Sequence, residues 1–542
     1  MKKHILLFTL LWCCALLFGS CESYLEVTPD KSGSAYIYHM DQLYGLTGST
    51  DLYLSKSTDA DMAITAGYAE GYMSEQYLLN DFIELTPDYY FKGGVSPMEA
   101  VNQYGAYKWS KDVLKDLTYV PDFTWNPAWK RIYTLNTVLE NLDKVTQTTT
   151  AIRNQVEGEA RFGRAYYHFM LLTQYCQWDE NAPGIGYRED TQPNGIPERQ
   201  TVKYTLEKIY EDLRLAQDAL QKAGRITFDF KHNTRPTVPT VQAFRARVDL
   251  YRGNYPSALE NAEAALAAHS ELVDIKSDPN HVLSPFMPLI KLDEEGNLVS
   301  SDMGYLPLQL QSLSARAILE HKEVYLPSVS AFTYWGLALP ISTSFYDLWT
   351  DKENDARWKY FYNSYYSIFI SPSISAEALS TGLSWTTQQW LRPADYHTYF
   401  HFFLQGSVGQ IIGMTTAEMY LIKAECMART GASEGEVADV LKTLRRTRFL
   451  NDVAADHIGG TLEDVLNERG RELGGLWRFF DIKRLNGAEN ANIEIRRKIL
   501  SDPTDPASVT ELVIPANDPR WALPIYTTEC ELMGWEQNKG WE

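Results

Sequence analysis

Past its first two dozen residues the chain lacks any long apolar run. No later segment reaches the ~18 uninterrupted apolar residues that a spanning helix needs, so no bilayer crossing is expected after the start. Cysteine is scarce as well: of six, Cys13, Cys14 and Cys21 stand at the beginning, and Cys176, Cys426 and Cys530 are far apart. Three scattered thiols make no disulfide framework and have no metal-ligand spacing. Cys176 and Cys426 fall in helical patterns and are expected to be small buried side chains. Positive charge is in deficit, with 50 Lys and Arg against 70 Asp and Glu, a formal net charge of −20. That argues against nucleic acid or an anionic lipid surface as the main ligand.

Catalytic signatures are missing too. The ten histidines show no His-Glu-x-x-His spacing, and there is no Gly-x-Ser-x-Gly elbow or phosphate loop. A glycoside hydrolase would need two opposed carboxylates, and nothing singles out one pair among 70. Asp59 and Asp61 read as an ordinary polar turn in preference to a cation site. No enzyme activity, metal or other cofactor is expected.

What is present begins with MKKHILLFTLLWCCALLFGSCES. Lys2 and Lys3, an apolar core from Ile5 to Phe18 and the small pair Gly19-Ser20 form a signal peptide over residues 1–20. Cys21, directly after the small pair, resembles a lipobox cysteine, although Phe18 is bulkier than the strict pattern. Acylated there, it would become residue one and hold the chain at a membrane, because two or more acyl chains anchor where one is marginal. Residues 21–35 then form a tether.

From there, helical periodicity alternates with polar, aromatic-rich stretches. In TPTVQAFRARVDLYRGNYPSALENAEAALAA, Ala246, Leu250, Tyr255, Ala258, Ala262 and Ala265 mark two helices joined at Gly253-Asn254, the pattern of a tetratricopeptide unit. AEMYLIKAECMARTGASEGEVADVLKTLRRTR is a second such pair, with Ala417, Ala424 and Ala428 on one face and Gly431 ending the first helix. Residues 127–147 with 152–177 form a looser pair, followed by 201–222. Thr201 is a cap for the last of these, whose Leu206, Ile209, Leu213 and Ala216 recur at helical spacing. Such pairs must stack to bury their faces, so one scaffold is expected. Residues 36–126, 270–415 and 487–542 lack clean periodicity. Segments that long are expected to pack on the scaffold with short helices and a few strands.

Four stretches resemble the SusD/RagB family, outer-membrane lipoproteins of Bacteroidetes nutrient-uptake systems. They are CESYLEVTPDKS; WNPAWKRIYTLNTVLENLDKV followed by GEARFGRAYYHFMLLTQYCQW; TAEMYLIKAECMARTG followed by LNERGRELGGLWRFFDIKRL; and WALPIYTTECELMGWEQNKGW. Tyr526 stands where the family's Pro-Ile-Pro has its second proline, and Lys539 stands for the proline of Gln-Asn-Pro-Gly. The resemblance implies an all-α, mainly helical SusD-like domain over 36–542. In it, four tetratricopeptide-like helix pairs (127–269 and 415–486) support irregular ligand-binding parts (36–126 and 270–415) and a C-terminal segment (487–542). It also implies a SusC-type TonB-dependent transporter as partner, glycan as cargo and an outer-membrane location facing the exterior. The charged residues of its motifs, such as Glu159 with Arg161 or Arg164 and Glu468 with Arg471 or Glu472, are expected as helix-face ion pairs and caps.

Glycans present weakly apolar C–H faces bordered by hydroxyls, so aromatic rings beside amides suit them. DYYFKGGVSPMEAVNQYGAYKW and SAFTYWGLALPISTSFYDLW qualify, and the family draws its binding aromatics from these two regions. Trp109 and Trp335 lead, followed by Tyr107, Tyr334 and Asn102, with Tyr90 in the same stretch. The alternatives are the same fold holding peptides or another nutrient, a surface glycoside hydrolase, or a purely structural helical scaffold.

Overall fold

Five long helices begin at a hydroxyl that accepts an otherwise unpaired backbone N–H, the role for which Ser and Thr are favoured at this position. Thr149, Thr201, Thr415, Ser433 and Thr461 each accept from the amide three residues on, at 3.2–3.3 Å. The computed structural model describes residues 37, 39–48, 52–53, 78–84, 104–115, 124–145, 147–192, 198–276, 283–292, 298–307, 321–326, 339–363, 400–401, 413–502, 505 and 507–542.

α1 (Met40–Thr47) and the short α2 (Lys111–Leu114) precede α3 (Trp125–Asn141), α4 (Thr150–Tyr175) and α5 (Val202–Lys222). α4 packs against both α3 and α5, and nearly every residue from Val156 to Tyr175 is buried. Tyr53, Phe162, Tyr166, Tyr167 and Phe244 make ring contacts around its middle. In α5 the expected face is buried: Leu206, Ile209, Leu213 and Ala216 are each 0–4% exposed. Burying each of the three larger side chains contributes roughly 1.5–3 kcal/mol.

α6 (Val238–Arg252) and α7 (Tyr255–Ala268) form the helical hairpin that the repeat spacing predicts. Gly253 at its turn and Gly431, which ends a later helix, sit at φ 76° and 93°, where a side chain would be strained. Ala258, Ala262 and Ala265 are fully buried, and α7 packs on the helix that Gly431 terminates.

Between these helical parts lie an antiparallel hairpin of β1 (Leu283–Leu292) and β2 (Leu298–Pro307), then β3 (Leu339–Pro340), α8 (Thr343–Asp347), α9 (Ala356–Phe361), β4 (Tyr362–Asn363) and β5 (Phe400–His401). β5 lies between β3 and β4. α10 (Thr416–Thr430), α11 (Glu434–Arg445), α12 (Asp452–Asp456) and α13 (Leu462–Glu489) follow, with α10 packed on α7, α11 and α13. The last part is a hairpin of β6 (Ile495–Leu500) and β7 (Val509–Ile514), then α14 (Thr527–Met533). The C-terminal motif is built in by its amides. Gln537 exchanges two hydrogen bonds with the backbone of Ile525, and Asn538 donates to the carbonyls of Tyr175 and Leu523 at 2.7 Å. Cys176, Cys426 and Cys530 are all buried free thiols.

Candidate functional site

Of the residues read as ligand contacts, Tyr107 and Trp109 are placed in the core. Tyr107 is 0% exposed and lies under the Arg497 guanidinium, 4.2 Å from its ring centre. Trp109, 2% exposed, runs nearly parallel to Trp541 and meets Trp521 edge-on at 5.1 Å, joining its segment to the C-terminal one. Neither ring has a free face for a sugar, which corrects the expectation for both. A tryptophan's large apolar area is buried whenever partners of that size are available, and here they come from residues more than 400 positions later. Tyr90, Asn102, Tyr334 and Trp335, and the anchor Cys21, lie outside the described residues.

The structure does fix the points from which the two aromatic-rich stretches depart. Ile83 pairs antiparallel with Ile341 in an isolated bridge, and the Ser342 amide donates to the Phe82 carbonyl at 2.8 Å. The Ser342 hydroxyl caps α8 by accepting from Phe345 N–H and donates to the Asp81 carbonyl at 2.6 Å. Phe82 and Phe345 pack at 4.2 Å between centroids. With Ile341, Trp349 and Trp358 they form a small apolar cluster of their own.

This junction is seated on α13. Arg478 grips the Asp81 carboxylate with two hydrogen bonds of 2.7 and 2.6 Å, a geometry that Lys could not reproduce. The Asn80 amide donates to Gly475 O at 2.7 Å, beside Gly474, where α13 breaks helical geometry. Arg497 of β6 donates to the carbonyls of Leu78 and Tyr107 at 2.6 Å and of Asn80 at 2.7 Å. One buried guanidinium therefore joins the chain on both sides of residues 85–103.

The other stretch is tied down before it starts. Tyr325 N–H donates to Met414 O at 2.9 Å, and its hydroxyl donates to Ala265 O on α7 at 3.0 Å. The Glu323 carboxylate, whose pKa burial raises against the opposing pull of Arg448, accepts from Arg448 at 2.9 and 3.0 Å. Arg448 also reaches Glu472, which Arg357 meets at 2.7 Å. Arg357 in turn meets Asp355 and Glu468 at 2.7 Å, and Glu468 takes Arg445 and Arg471 at 2.8 Å. Burial would raise the Glu468 pKa, but Arg357, Arg471 and Arg445 overcome it and hold the carboxyl well below its ordinary value.

This alters the expectation for the motif charges. The Glu468–Arg471 pair lies on one helix face as expected, but it is buried and belongs to a network that runs between elements. Glu159 pairs with Arg235 at 2.6 Å, and Arg164 pairs with Asp212 at 2.6 Å. Removing one member of such a network leaves an uncompensated buried charge, so its role is to lock relative positions more than to add net stability. Among the described residues no group of three or more His, Cys, Asp or Glu could hold a metal ion.

Residues 38–250 match a family model described as starch-binding, associating with the outer membrane, and residues 406–541 match that of the SusD family. The chain belongs to the SusD/RagB family. Its mostly helical architecture agrees with solved SusD-like structures. A SusD superfamily protein from Bacteroides thetaiotaomicron VPI-5482 aligns over 92% of this chain and 99% of its own, at 18% identity and a TM-score of 0.59. A laminarin-binding SusD-like protein aligns over 93% and 100%, at 17% identity and 0.53. Surface glycan-binding protein A from Bacteroides uniformis aligns over 92% and 98%, at 14% identity and 0.54. No curated protein matches the sequence. The two SusD/RagB matches contain Glu159, Arg164, Arg445, Arg448, Glu468 and Glu472 of the buried ion pairs, while Glu323, Asp355 and Arg357 lie in the stretch between them.

Proposed function

We propose that the protein is a lipid-anchored cell-surface glycan-binding protein that captures oligosaccharide or polysaccharide and hands it to a SusC-type TonB-dependent transporter. The observation that carries this reading is the Ile83 to Ile341 bridge. Tyr90 is seven residues beyond Ile83, and Trp335 is six before Ile341. Chain length alone thus keeps each within roughly 25 Å of the bridge. The proposed contacts are aromatic rings from both stretches, Tyr90 from one and Tyr334 and Trp335 from the other, with the Asn102 amide as the proposed partner for sugar hydroxyls.

Family membership and the glycan ligands named for two solved relatives support the cargo class. Cys21 supplies the anchor at an outer membrane. Binding weakly at several points raises the effective concentration of a polymer beside its transporter, so the role requires no catalytic step.

The test is affinity electrophoresis and calorimetry of the soluble form starting at Glu22 against a panel that includes starch and laminarin, with Trp335→Ala alongside. The expected result is retardation by one glycan, weakened roughly tenfold in the variant, about 1.4 kcal/mol. Absence of retardation across the panel by folded protein overturns the reading.

A further inference from the structure

A cleft of about 590 Å³ lies where the chain just after α4, the C-terminal ends of α6 and α13 and the loop after β7 meet. That size suits one or two sugar rings, since small-molecule sites occupy about 300–1,000 Å³.

Its aromatic wall is fixed in place. The Trp178 indole N–H donates to Tyr251 O at 2.9 Å, and the Arg252 guanidinium lies 4.2 Å from the ring centre. Gly487 lets the ring approach α13, since a Cβ there would stand 2.3 Å from Trp178 Cγ. The ring is nonetheless only partly buried.

The cleft is also lined by amides. Asn490 and Asn492 both have positive φ, 51° and 54°, in the turn that ends α13. Asn486 holds that turn by accepting from Ile493 N–H and donating to Ile493 O, both at 2.8 Å. The exposed side chains of Asn490, Asn492 and Asn517 line the cleft with no hydrogen-bond partner among the described residues. Asparagine tolerates the left-handed conformation, which accounts for Asn490 and Asn492 as turn formers; Asn517 lines the same cleft without that role.

Most charged groups around the cleft already have partners. Arg252 pairs with Glu180 at 2.9 Å, and Arg520 pairs with Asp518 at 2.7 Å. The Lys483 amine is turned into the carbonyls of Thr173 and Cys176. Asp179 is the lining carboxylate without an ion pair among the described residues, and no arginine or lysine of the lining is left for an anion, so the fitting ligand is not anionic and is rich in hydroxyls.

We infer that this cleft is a second carbohydrate site, for a neutral mono- or disaccharide unit. It deepens the glycan-binding reading by adding a separate point of contact, through which one polymer could be held at two places.

The test labels the soluble protein with 5-fluorotryptophan and follows the Trp178 fluorine resonance while maltose, cellobiose or lactose is titrated. Asn490→Gly with Asn492→Gly and Asn517→Ala removes the amides and leaves positive φ accessible, so the fold is retained. The expected result is a saturable shift of the Trp178 signal with one of the disaccharides, weakened roughly tenfold or more in the triple variant. Trp335→Ala is expected to leave that shift unchanged. No shift with any of the three sugars, or the same shift in the triple variant, overturns the inference. The loss of retardation in Trp335→Ala reports on the first site and the Trp178 shift on this one, so either site can fail without the other.

Discussion

Ile83 and Ile341 form one antiparallel bridge, which places the chain entering one aromatic-rich stretch next to the chain leaving the other. Two segments that sequence reasoning could only treat separately are therefore rooted at a common point on α13.

If that root positions the glycan contacts, loosening it will weaken binding more than it lowers stability. Ser342→Ala removes both the α8 cap and the bond to the Asp81 carbonyl, and is expected to reduce stability by about 1–2 kcal/mol. Urea denaturation should show a single transition with an unchanged slope, while affinity electrophoresis shows reduced retardation. Unaltered retardation would mean that the junction does not organise the site.

Glu468→Gln is expected to destabilise the protein by about 3–5 kcal/mol, because three arginines lose their shared buried partner. The folded-state pKa of Glu468 is depressed, so its contribution is present above the ordinary carboxylate pKa and is lost as pH falls through the folded value. Denaturation at pH 7 and at progressively lower pH should show the gap between wild type and variant closing on acidification.

His168 is expected to make the protein acid-sensitive at a milder pH. Its Nδ1 lies 2.8 Å from Arg164 O and its Nε2 accepts from Arg188 N–H, so the geometry holds the neutral ring with Nδ1–H donating. Burial pushes its pKa down to about 3. The unfolded chain therefore takes up the proton first, and stability present above about pH 6.5 falls as pH drops toward 3. Between pH 6.5 and 5 wild type should lose about 2 kcal/mol relative to His168→Gln, read as the difference between their urea midpoints.

Lys483 is expected to act at the alkaline end. Burial pushes its pKa down to about 7, while in the unfolded chain it titrates near 10.5. The unfolded state binds the extra proton between those values, so stability rises with pH across that window. From pH 7 to 9 wild type should gain about 2–3 kcal/mol relative to Lys483→Met. Parallel curves for the two proteins would mean that the buried amine keeps its charge.

Much of the scaffold was legible from local pattern. Thr201 caps α5, Gly253 and Gly431 end helices in the left-handed conformation, and Ala258, Ala262 and Ala265 are buried where the repeat spacing put them. Each of these is decided within a few residues by hydrogen-bonding geometry or by a period of 3.6.

Partnership over long sequence distance was not legible. Tyr107 and Trp109 looked like members of an exposed platform, and became core once Arg497, Trp521 and Trp541 were folded against them. Glu159 and Glu468 were read as members of helix-face pairs; Glu468 keeps Arg471 on its own helix, but Arg235, Arg357 and Arg445 reach the two carboxylates from other elements. The sequence by itself determined the main helices, the cap of α5 and the family, because these are written in short-range pattern and in motif order. Tertiary structure alone decided which aromatic rings are buried, which charges share a partner and where the aromatic-rich stretches are rooted, because those depend on contacts between residues hundreds of positions apart.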